Sequence, residues 1–495
     1  MRWATASQEW EALNAKRTGQ LDKIERLAEV TLPHVCTDED YDSGQDALTN
    51  GTTSLGAQAA THLINKLVMA MFPNRPFYRL AVSEAEAREL VADLGVPMDQ
   101  LTDMLAQAER DSVLQLEMTG SRNIIYEIVT HLVVAGDVMM DLSDKEEIGA
   151  IPIREYVVRR DSKGRPCSIV IKQCLYYDEI DEHVLAHLPT GRREPDDKHD
   201  VFTWIRVKKG KMHMSKWIDN TELPEAFGAV WSREDCPYIP LTWRLPLRQS
   251  YGVSRVEEYY SDLSTYEIMS ESMRDGSILA AQYRWLQNPS GLTRPEDFAA
   301  SKNGDIIPGN ANDLALVSSN IGNQLATVMQ IADVYSRRIG AGFLMNSAMT
   351  RDAERVTAEE IRLQALELEG SLGGVYSRLA KDIQQPLARW LMKSIDLSLK
   401  GTKITPVVIT GLDALSRNAD LERLSQFLAD VTALGQIPPQ QRAVLQESAI
   451  ISDMAAGRGI NKSRYIASDD EIQQRLQALA AQEAAGSQAP VPTAQ

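Results

Sequence analysis

The sequence predicts an α+β fold that is mainly α-helical. Apolar residues recur at helical spacing through most of the 495 residues. A stretch rich in β-branched and aromatic residues covers about 150–245, and two further long helical segments flank a stretch dense in Pro, Gly and Asn. Because a chain of this length exceeds what one hydrophobic core usually holds, we expect about two to four domains.

The N-terminal part is predicted to be helical. A first helix covers residues 1–30, and its apolar positions include Trp10, Leu13, Ile24, Leu27 and Val30. A second helix, AQAATHLINKLVMAMFP, should end at Phe72 because Pro73 cannot continue it. The following PFYRLAV is predicted to be a short strand. Helical spacing then dominates from about 84 to 142, with breaks near Gly120 and Gly136.

Two hairpin signals mark the β-rich stretch. Strand-forming runs flank SKGRP in REYVVRRDSKGRPCSIVIKQCL and KKGK in DVFTWIRVKKGKMHMSKWID.

The two long helices that follow are predicted over 254–282 and about 318–343. The first would be about 42 Å long at 1.5 Å per residue. The segment between them has the composition of a small tip of turns and short strands. Taken alone, this pattern favours the α-hairpin core of a monomer.

A charged loop precedes a third long helix. Thr357 and Glu360 have the spacing of a capping box, in which the Thr side chain accepts from a first-turn amide and the Glu reaches back. The helix is predicted to continue to about Leu399, loosened by a cluster of glycines from Gly370 and kinked at Pro386. Beyond it we expect a short strand in PVVIT, helices over 411–480 and a disordered, low-complexity end.

The formal net charge of −17 bears on the class of partner. A protein that binds DNA over a broad surface usually carries a basic stripe. In this acidic chain, any contact with nucleic acid must therefore be local, or the negative charge must serve to prevent adhesion to it.

No apolar run reaches the ~20 residues of a membrane span, and the start has no signal-peptide core, so we expect a soluble, non-secreted protein. The four scattered cysteines are expected to stay reduced: Cys36, Cys167, Cys174 and Cys236.

Motifs for catalysis are missing or incomplete. GTTSLGAQ has the glycines of a nucleotide-binding loop, but Ala57 and Gln58 stand where Lys and Ser/Thr are required. DEDYDSGQDALT spaces aspartates like an EF-hand, yet its glycine comes one position late and Thr49 replaces the bidentate Glu. This favours a solvated acidic loop and leaves weak divalent binding open. His62 and His131 lie in apolar helical stretches typical of core histidines. We therefore expect a protein that is not an enzyme, with no catalytic residue, no metal and no cofactor.

Arginines gather around the charged loop. Arg337 and Arg338 close one helix, Arg351 and Arg355 stand in the loop, and Arg362 follows in the next helix. Two interpretations remain open on this pattern. The loop is either an ordinary hinge with exposed arginines, or it presents positive charge to a polyanion, an effect that many copies around one axis would multiply.

Four stretches carry a resemblance to a known family. They are SLGAQAATHLINKLVMAMFPNRPFYRL, YGVSRVEEYYSDL, NPSGLTRPEDF and FLMNSAMTRDAERVTAEEIRLQALELEGSLGGVYSRLAKDIQQPLARWL. Their order resembles the portal protein, or head-to-tail connector, of short-tailed podovirus-type bacteriophages. The resemblance spans about residues 45–400 and extends through VVITGLDAL to about 430. The short C-terminal tail argues against a long C-terminal barrel.

The resemblance implies a phage portal fold with wing, stem, clip and crown, assembled as a ring of about twelve subunits with a central channel. Such a ring occupies one capsid vertex of the virion and is assembled in the cytoplasm of the bacterial host. Double-stranded DNA would pass through it without sequence specificity during packaging and ejection. The implied protein partners are the major capsid protein, scaffolding protein, the terminase large subunit and tail adaptor proteins, with no membrane.

Carried over by position, the resemblance also implies domains and sites. The domains are 1–250 wing (β-rich at about 150–245), 251–282 first stem helix, 283–315 clip, 316–343 second stem helix, 344–356 tunnel loop, 357–404 wing helix, 405–480 helical crown and 481–495 disordered tail. The candidate channel residues are Asn346, Ser347, Met349, Thr350, Arg351, Asp352 and Arg355, anchored by Thr357 and Glu360. The candidate clip docking residues are Trp285, Asn288, Pro289, Arg294, Phe298 and Lys302. The alternatives are another virion structural or scaffold protein, or a metal-dependent DNA-processing enzyme.

Overall fold

The computed structural model divides the chain into two compact units, Met1–Gly411 and Leu412–Gln495. The residues that it describes are 3–37, 51–73, 76–81, 98–180, 197–318, 322–345, 358–394 and 407–410, with isolated positions elsewhere. Only a few positions of the second unit are among them, so the architecture below is that of the first unit.

The described residues of the N-terminal part include four helices. They are α1 (Ala6–Glu29), α2 (Leu55–Met71), α3 (Met98–Met118) and α4 (Ser121–Val134). The first two confirm the helices expected from apolar spacing. Thr5 caps α1 by accepting from the amide of Gln8 at 3.3 Å. Of the expected apolar positions of α1, Val30 lies just beyond its end and is only half-buried, whereas the other four are buried.

A short pair of strands joins distant parts of the chain. The predicted strands in PFYRLAV and PVVIT are present as β1 (Tyr78–Ala81) and β13 (Val407–Thr410), which pair antiparallel with Tyr78 opposite Thr410. β1 is fixed to α3, because the Tyr78 hydroxyl donates to Ser112 Oγ at 2.7 Å. Residues 407–410, which were expected to begin the crown, thus pair with a strand of the N-terminal part.

The β-rich stretch forms two sheets. The larger has the order β4-β5-β6-β7-β8, with β9 also paired to β7, and the smaller has the order β10-β2-β3. The strands of the larger sheet are β4 (Tyr156–Arg160), β5 (Pro166–Tyr176), β6 (Lys198–Lys208), β7 (Lys211–Ile218), β8 (Thr221–Glu222) and β9 (Ala229–Trp231). Both expected hairpins, β4–β5 and β6–β7, are confirmed.

The smaller sheet corrects the expected helical limit at residue 142. Its strands are β2 (Asp137–Asp141), β3 (Gly149–Ile151) and β10 (Tyr238–Thr242). Helix α4 ends at Val134, and Gly136 turns the chain with φ +86°. The run from Asp137 to Met140 is buried throughout, and such a short, continuously buried stretch has no alternation that would separate a strand from a helix.

Helix α1 covers one face of the larger sheet. Trp10 and Leu13 pack with Val170, Phe202 and other buried residues of the strands. The Trp204 indole, which lies in this core, donates to the buried Glu9 carboxylate at 2.6 Å. The sheet therefore shares its core with the N-terminal helix, although more than a hundred residues separate them in sequence.

A crossing of backbones fixes the root of the long hairpin. The amide of Gly252 donates to both carboxylate oxygens of Asp137, at 3.0 and 2.8 Å. The approach is so close that a Cβ on Gly136 would lie 2.9 Å from the Ser254 nitrogen, and one on Gly252 would lie 2.7 Å from the Gly136 oxygen. Burial raises the pKa of Asp137 to about 7. Only glycine fits at both positions, so this crossing depends on them.

Two long antiparallel helices leave this root. They are α5 (Arg255–Ala281) and α7 (Gly322–Gly342), and between them lie β11 (Tyr283–Gln287), α6 (Pro295–Ala300) and β12 (Leu314–Ser318). Ser254 caps α5 by accepting from the Glu257 amide at 2.9 Å. The second helix begins later than expected, since the β-branched and apolar residues up to Ser318 extend a strand.

The third long helix is interrupted. It consists of α8 (Ala358–Leu372), α9 (Val375–Leu379), a π-helical turn (Ala380–Gln384) and α10 (Gln385–Ser394). Gly373 and Gly374 both have positive φ, 59° and 82°, and they break the helix instead of loosening it. The π turn ends two residues before Pro386, whose missing N–H and bulky ring would otherwise disrupt an α-helical turn.

Arg17 links α1 to the start of β4 from within the core. Its guanidinium donates to the backbone carbonyls of Ile153 and Tyr156, and at 2.8 Å to that of Arg154. The side chain is buried, and this burial lowers its pKa. One cation thus serves three carbonyls at the point where the chain enters β4.

Replacing Arg17 should destabilise the protein strongly. Arg17→Met keeps the aliphatic volume but removes the donors to these buried carbonyls, so we expect a loss of about 2–4 kcal/mol in the free energy of unfolding. Thermal and urea denaturation would measure it. Arg26→Met on the same helix is the matched control, because among the described residues Arg26 donates only to the Asp22 carbonyl of its own helix. Equal effects of the two substitutions would contradict this role of Arg17.

Candidate functional site

The hairpin of α5 and α7 positions two candidate sites at its opposite ends. The tip, defined as residues 283–318, lies where the two helices are farthest from the root. The segment that follows α7 lies at the root itself. The expected clip residues fall in the tip, and the expected channel residues fall in the segment after α7.

The tip is a small folded unit held by one carboxylate. Strands β11 and β12 pair antiparallel, with Trp285 opposite Leu316. Asp313 accepts from the amides of Leu292 and Thr293, at 2.8 and 3.0 Å, and from the Thr293 hydroxyl at 3.0 Å. Hydrogen bonds from Thr293 are the main cause that lowers the pKa of Asp313. The turn that carries these donors is thereby fixed to the end of the strand pair.

The surface of the tip is apolar as well as polar. Trp285 and Phe298 meet edge to face at 4.9 Å between ring centroids, and Trp285 remains 48% exposed. Leu292 and Ile306 are 86% and 99% exposed. These large apolar side chains of the tip are therefore accessible to another molecule.

The residues expected to dock partners all lie on this unit. Trp285, Asn288, Pro289, Arg294 and Lys302 are exposed, and Phe298 is half-buried. Their role in docking stays a prediction. Leu292 and Ile306 were missed, although both are apolar residues in a Pro- and Gly-rich segment. Asp313 was also missed, and no sequence signal distinguishes it from an ordinary loop aspartate.

At the root, the C-terminus of α7 is held by α5. The Arg255 guanidinium donates to the Gly342 carbonyl from Nε at 3.2 Å and from Nη2 at 2.6 Å, while Glu258 pairs with Arg255 at 2.8 Å. Gly342 lies so close to Tyr259 that a Cβ would approach its ring to 2.3 Å. The two helix ends are thus fixed together, and sequence reasoning found none of these interactions.

The chain leaves α7 through a strained residue. Leu344 has a left-handed conformation with φ 60°, which usually belongs to glycine at a helix end. The Met345 amide donates to Gly340 at 2.8 Å and the Leu344 amide to Ala341 at 3.3 Å, the two bonds of a Schellman cap. His62 Nε2 on α2 donates to the Leu344 carbonyl at 3.0 Å. The histidine interpreted as a core residue therefore holds the chain where the expected loop begins.

Helix α2 also contacts the other side of this segment. Lys66, one turn after His62, forms an ion pair with Glu367 of α8 at 3.0 Å. α2 thus touches the last described residues before the segment 346–357 and the helix that follows it. The expected channel residues and Thr357 lie outside the described residues, as does the side chain of Glu360. Helix α8 begins at Ala358, one residue after Thr357.

Two of the arginines that pointed to a positive loop are paired. Arg337 contacts Asp333 at 2.5 Å, and Arg338 contacts Asp262 of α5 at 3.6 Å. These two therefore match an ordinary helix surface. The interpretation of a loop that faces a polyanion depends on Arg351 and Arg355.

The described residues contain neither a metal cluster nor a membrane span. Within them, no three His, Cys, Asp or Glu side chains converge in a way that could hold a metal ion. None of the helices in the described part of the chain is long and apolar enough to cross a bilayer. The acidic loop with partial EF-hand spacing, which contains Asp38, Asp40 and Asp42, lies outside the described residues.

Comparison with known proteins agrees with the resemblance noted in the sequence. A portal protein of Enterobacteria phage SP6 is 32% identical over 486 residues, covering 96% of this chain and 92% of its own. A portal protein of Escherichia phage T7 is 28% identical, covering 94% of this chain and 89% of its own. One solved structure, the neck of an empty GTA particle, covers 83% of this chain and 90% of its own at 11% identity and a TM-score of 0.41, which is too low to support an inference.

The model of one protein family matches nearly the whole chain. The match covers residues 4–463, from the start of the N-terminal helix to well beyond the last described strand. It includes the root, both long helices and the tip. The chain belongs to the family of bacteriophage head to tail connecting proteins.

Proposed function

We propose that this chain forms a ring of about twelve copies at one vertex of a phage capsid, around a channel for double-stranded DNA. The DNA enters the head through this channel during packaging and leaves through it during ejection. Membership of the connector family and near full-length similarity to portal proteins support this proposal. In it the chain is a structural component that carries no catalytic site of its own.

The observation that carries the ring is the exposed apolar surface of the hairpin. Ile268 and Ile278 on α5 are 65% and 56% exposed, and Met329 and Val334 on α7 are 58% and 51% exposed. At 27 residues, α5 is about 40 Å long, yet its described buried residues lie in its first third. Side chains of this size along a narrow hairpin favour packing against neighbouring copies, as a closed ring would supply.

The tip is proposed as the docking surface for proteins that act in turn. The terminase large subunit would bind there and supply ATP hydrolysis during packaging, and tail adaptor proteins would replace it. The exposed Trp285, Leu292 and Ile306 supply apolar surface, while Arg294 and Lys302 supply charge at the rim. The major capsid protein and scaffolding protein would bind other parts of the ring.

The segment 344–356 is proposed to face DNA in the channel. An acidic chain avoids tight adhesion to a moving polyanion, because each neutralised phosphate adds affinity that depends on salt. Arg351 and Arg355, repeated around the ring, would steady the duplex locally. The hydrogen bond from His62 to Leu344 supports a loop whose first residue is fixed, whatever conformation its central residues adopt.

The native mass of the purified protein tests the ring. At 55.0 kDa per chain, twelve copies weigh about 660 kDa, and we expect a mass-photometry peak near that value. Ile268→Asp combined with Val334→Asp should shift the mass towards a single chain, because charges would enter each apolar interface. Leu247→Asp, at a site 92% exposed outside the hairpin, is the matched control. A species of 55–110 kDa that persists when scaffolding protein is added would contradict the ring.

Removing the Asp313 carboxylate should loosen the tip. Asp313→Asn removes the charge that three donors share, so we expect faster hydrogen exchange at Leu292 and Thr293 and weaker binding of the terminase large subunit, with the ring intact. Because the folded-state pKa is lowered, the wild-type protection is complete above about pH 4 and is lost as the pH falls through that pKa. Asp305→Asn, which removes one exposed acceptor of the same tip, should change exchange little. Loss of the ring in Asp313→Asn would count against separate roles for tip and hairpin.

The double variant Arg351→Ala with Arg355→Ala should assemble normally but package or retain DNA poorly. The expected defect is a shorter or less stably held genome, measured by the length of packaged DNA and its retention on heating. Arg337→Ala with Arg338→Ala is the control, because both arginines already have carboxylate partners. Packaged DNA of normal length and stability in the first variant would exclude this role for the loop.

A further inference from the structure

The end of the larger sheet that carries the β4–β5 and β6–β7 turns is basic. In an antiparallel order β4-β5-β6-β7, these two hairpin turns lie at the same end. Arg233 reaches this end, because its Nη1 donates to the Pro166 carbonyl at 3.4 Å, and the loop containing Arg248 is bound to β4 through Arg160 and Ser250. We name this surface the basic rim, and its residues are Lys163, Lys208, Lys209, Lys211, Arg233 and Arg248.

All six side chains of the basic rim are exposed. The nearby Asp161 carboxylate is already occupied, since it pairs with Arg165 at 2.9 Å and accepts from two backbone amides of the turn. Among the described residues, the four lysines have no carboxylate partner within ion-pair distance. A chain of net charge −17 therefore concentrates unpaired positive charge at one end of one sheet.

The lysines of the β6–β7 turn occupy positions where lysine is unfavourable for folding. Lys209 and Gly210 have φ 49° and 82°, the two positive values of a type I′ turn, whose first position favours Asn, Asp or Gly over Lys. Lys208 and Lys211 are directly opposite each other across the strands, and like charges at such a pair repel. Neutral residues would suit both the turn geometry and the cross-strand pair better.

We propose that the basic rim binds the phosphate backbone of duplex DNA on a surface separate from the channel. The two hairpin turns are about 10 Å apart, two strand spacings, so their lysines can reach successive phosphates of one groove edge. Lysines act as mobile point charges that suit binding without sequence readout. The choice of DNA as the polyanion rests on the proposed function, in which the duplex enters and leaves the head through a ring of this protein.

The test uses covalently closed circular DNA, because a closed circle cannot be threaded through a channel. The rim variant combines Lys208→Thr with Lys209→Asn, residues that suit the strand and the left-handed turn. We expect the purified full-length protein to bind the circle at 50 mM salt at least about tenfold more tightly than this variant. The slope of log affinity against log salt should fall by roughly 0.9 for each phosphate that the variant no longer neutralises.

The rim variant should be at least as thermally stable as the wild type, since both changes relieve unfavourable features of the turn. If Lys208 and Lys209 instead stabilised the fold, their replacement would lower the thermal stability of the rim variant. Lys16→Asn with Lys145→Thr is the matched control, because it removes the same charge from exposed positions elsewhere and should bind the circle normally. Equal binding by wild type and rim variant, or an equal reduction in the control, would overturn the proposal. If the rim variant kept its DNA binding but no longer bound polyglutamate, the proposal would also fall, and the partner would be an acidic protein.

Failure of this proposal can be told apart from failure of the ring. The native mass of wild type and rim variant reports assembly, whereas the difference between them in binding of the closed circle reports the basic rim in any oligomeric state.

Discussion

The structure depends on the backbone crossing where Gly252 donates to the buried Asp137 carboxylate. This hydrogen bond joins the small sheet to the start of α5, and Gly136 and Gly252 allow the two chain segments to approach within backbone distance. The Lys23–Glu257 ion pair at 2.8 Å extends the junction to α1. Ionisation of the Asp137 carboxylate, whose pKa is raised by burial, lowers the stability of the folded state. The burial of this group is therefore unfavourable, but it fixes the backbone amide of Gly252. Both long helices and the tip project beyond this point, and they are also held by the hydrogen bonds of Arg255 to Gly342 and of Thr52 and Thr53 to Glu267.

Sequence reasoning recovered the elements that local patterns encode. The helices of the N-terminal part, both hairpins, the long helix from Arg255 and the strand in PVVIT follow from periodicity, turn residues and prolines. The strand β2 was missed because Asp137–Met140 is buried on both faces and shows no alternation. The break at Gly373 was expected only as a weakness, since the sequence does not reveal that two successive glycines adopt positive φ.

The candidate sites show a similar division. The tip was located by composition, because Pro, Gly and Asn report turns whatever their tertiary surroundings. The interactions that hold it and the root come from residues far apart in sequence. His62 donates to Leu344, Arg255 donates to Gly342, and Asp313 accepts hydrogen bonds from residues about twenty positions before it in the sequence. Such pairings depend on the fold as a whole, so a single sequence carries no local signal for them.

In the described part of the chain, α5 is anchored from its start to Glu267, which accepts hydrogen bonds from Thr52 and Thr53, and the half beyond Glu267 can act as a lever. A rigid helical arm about 20 Å long that rotates by about 5° at its base moves its far end by roughly 1.8 Å. A displacement of that size is more than half the length of a hydrogen bond, so a small change of packing at the base of this arm would change the position of Trp285. Conversely, a force applied to the tip would exert a torque on the interactions of Asp137 and Arg255 at the root.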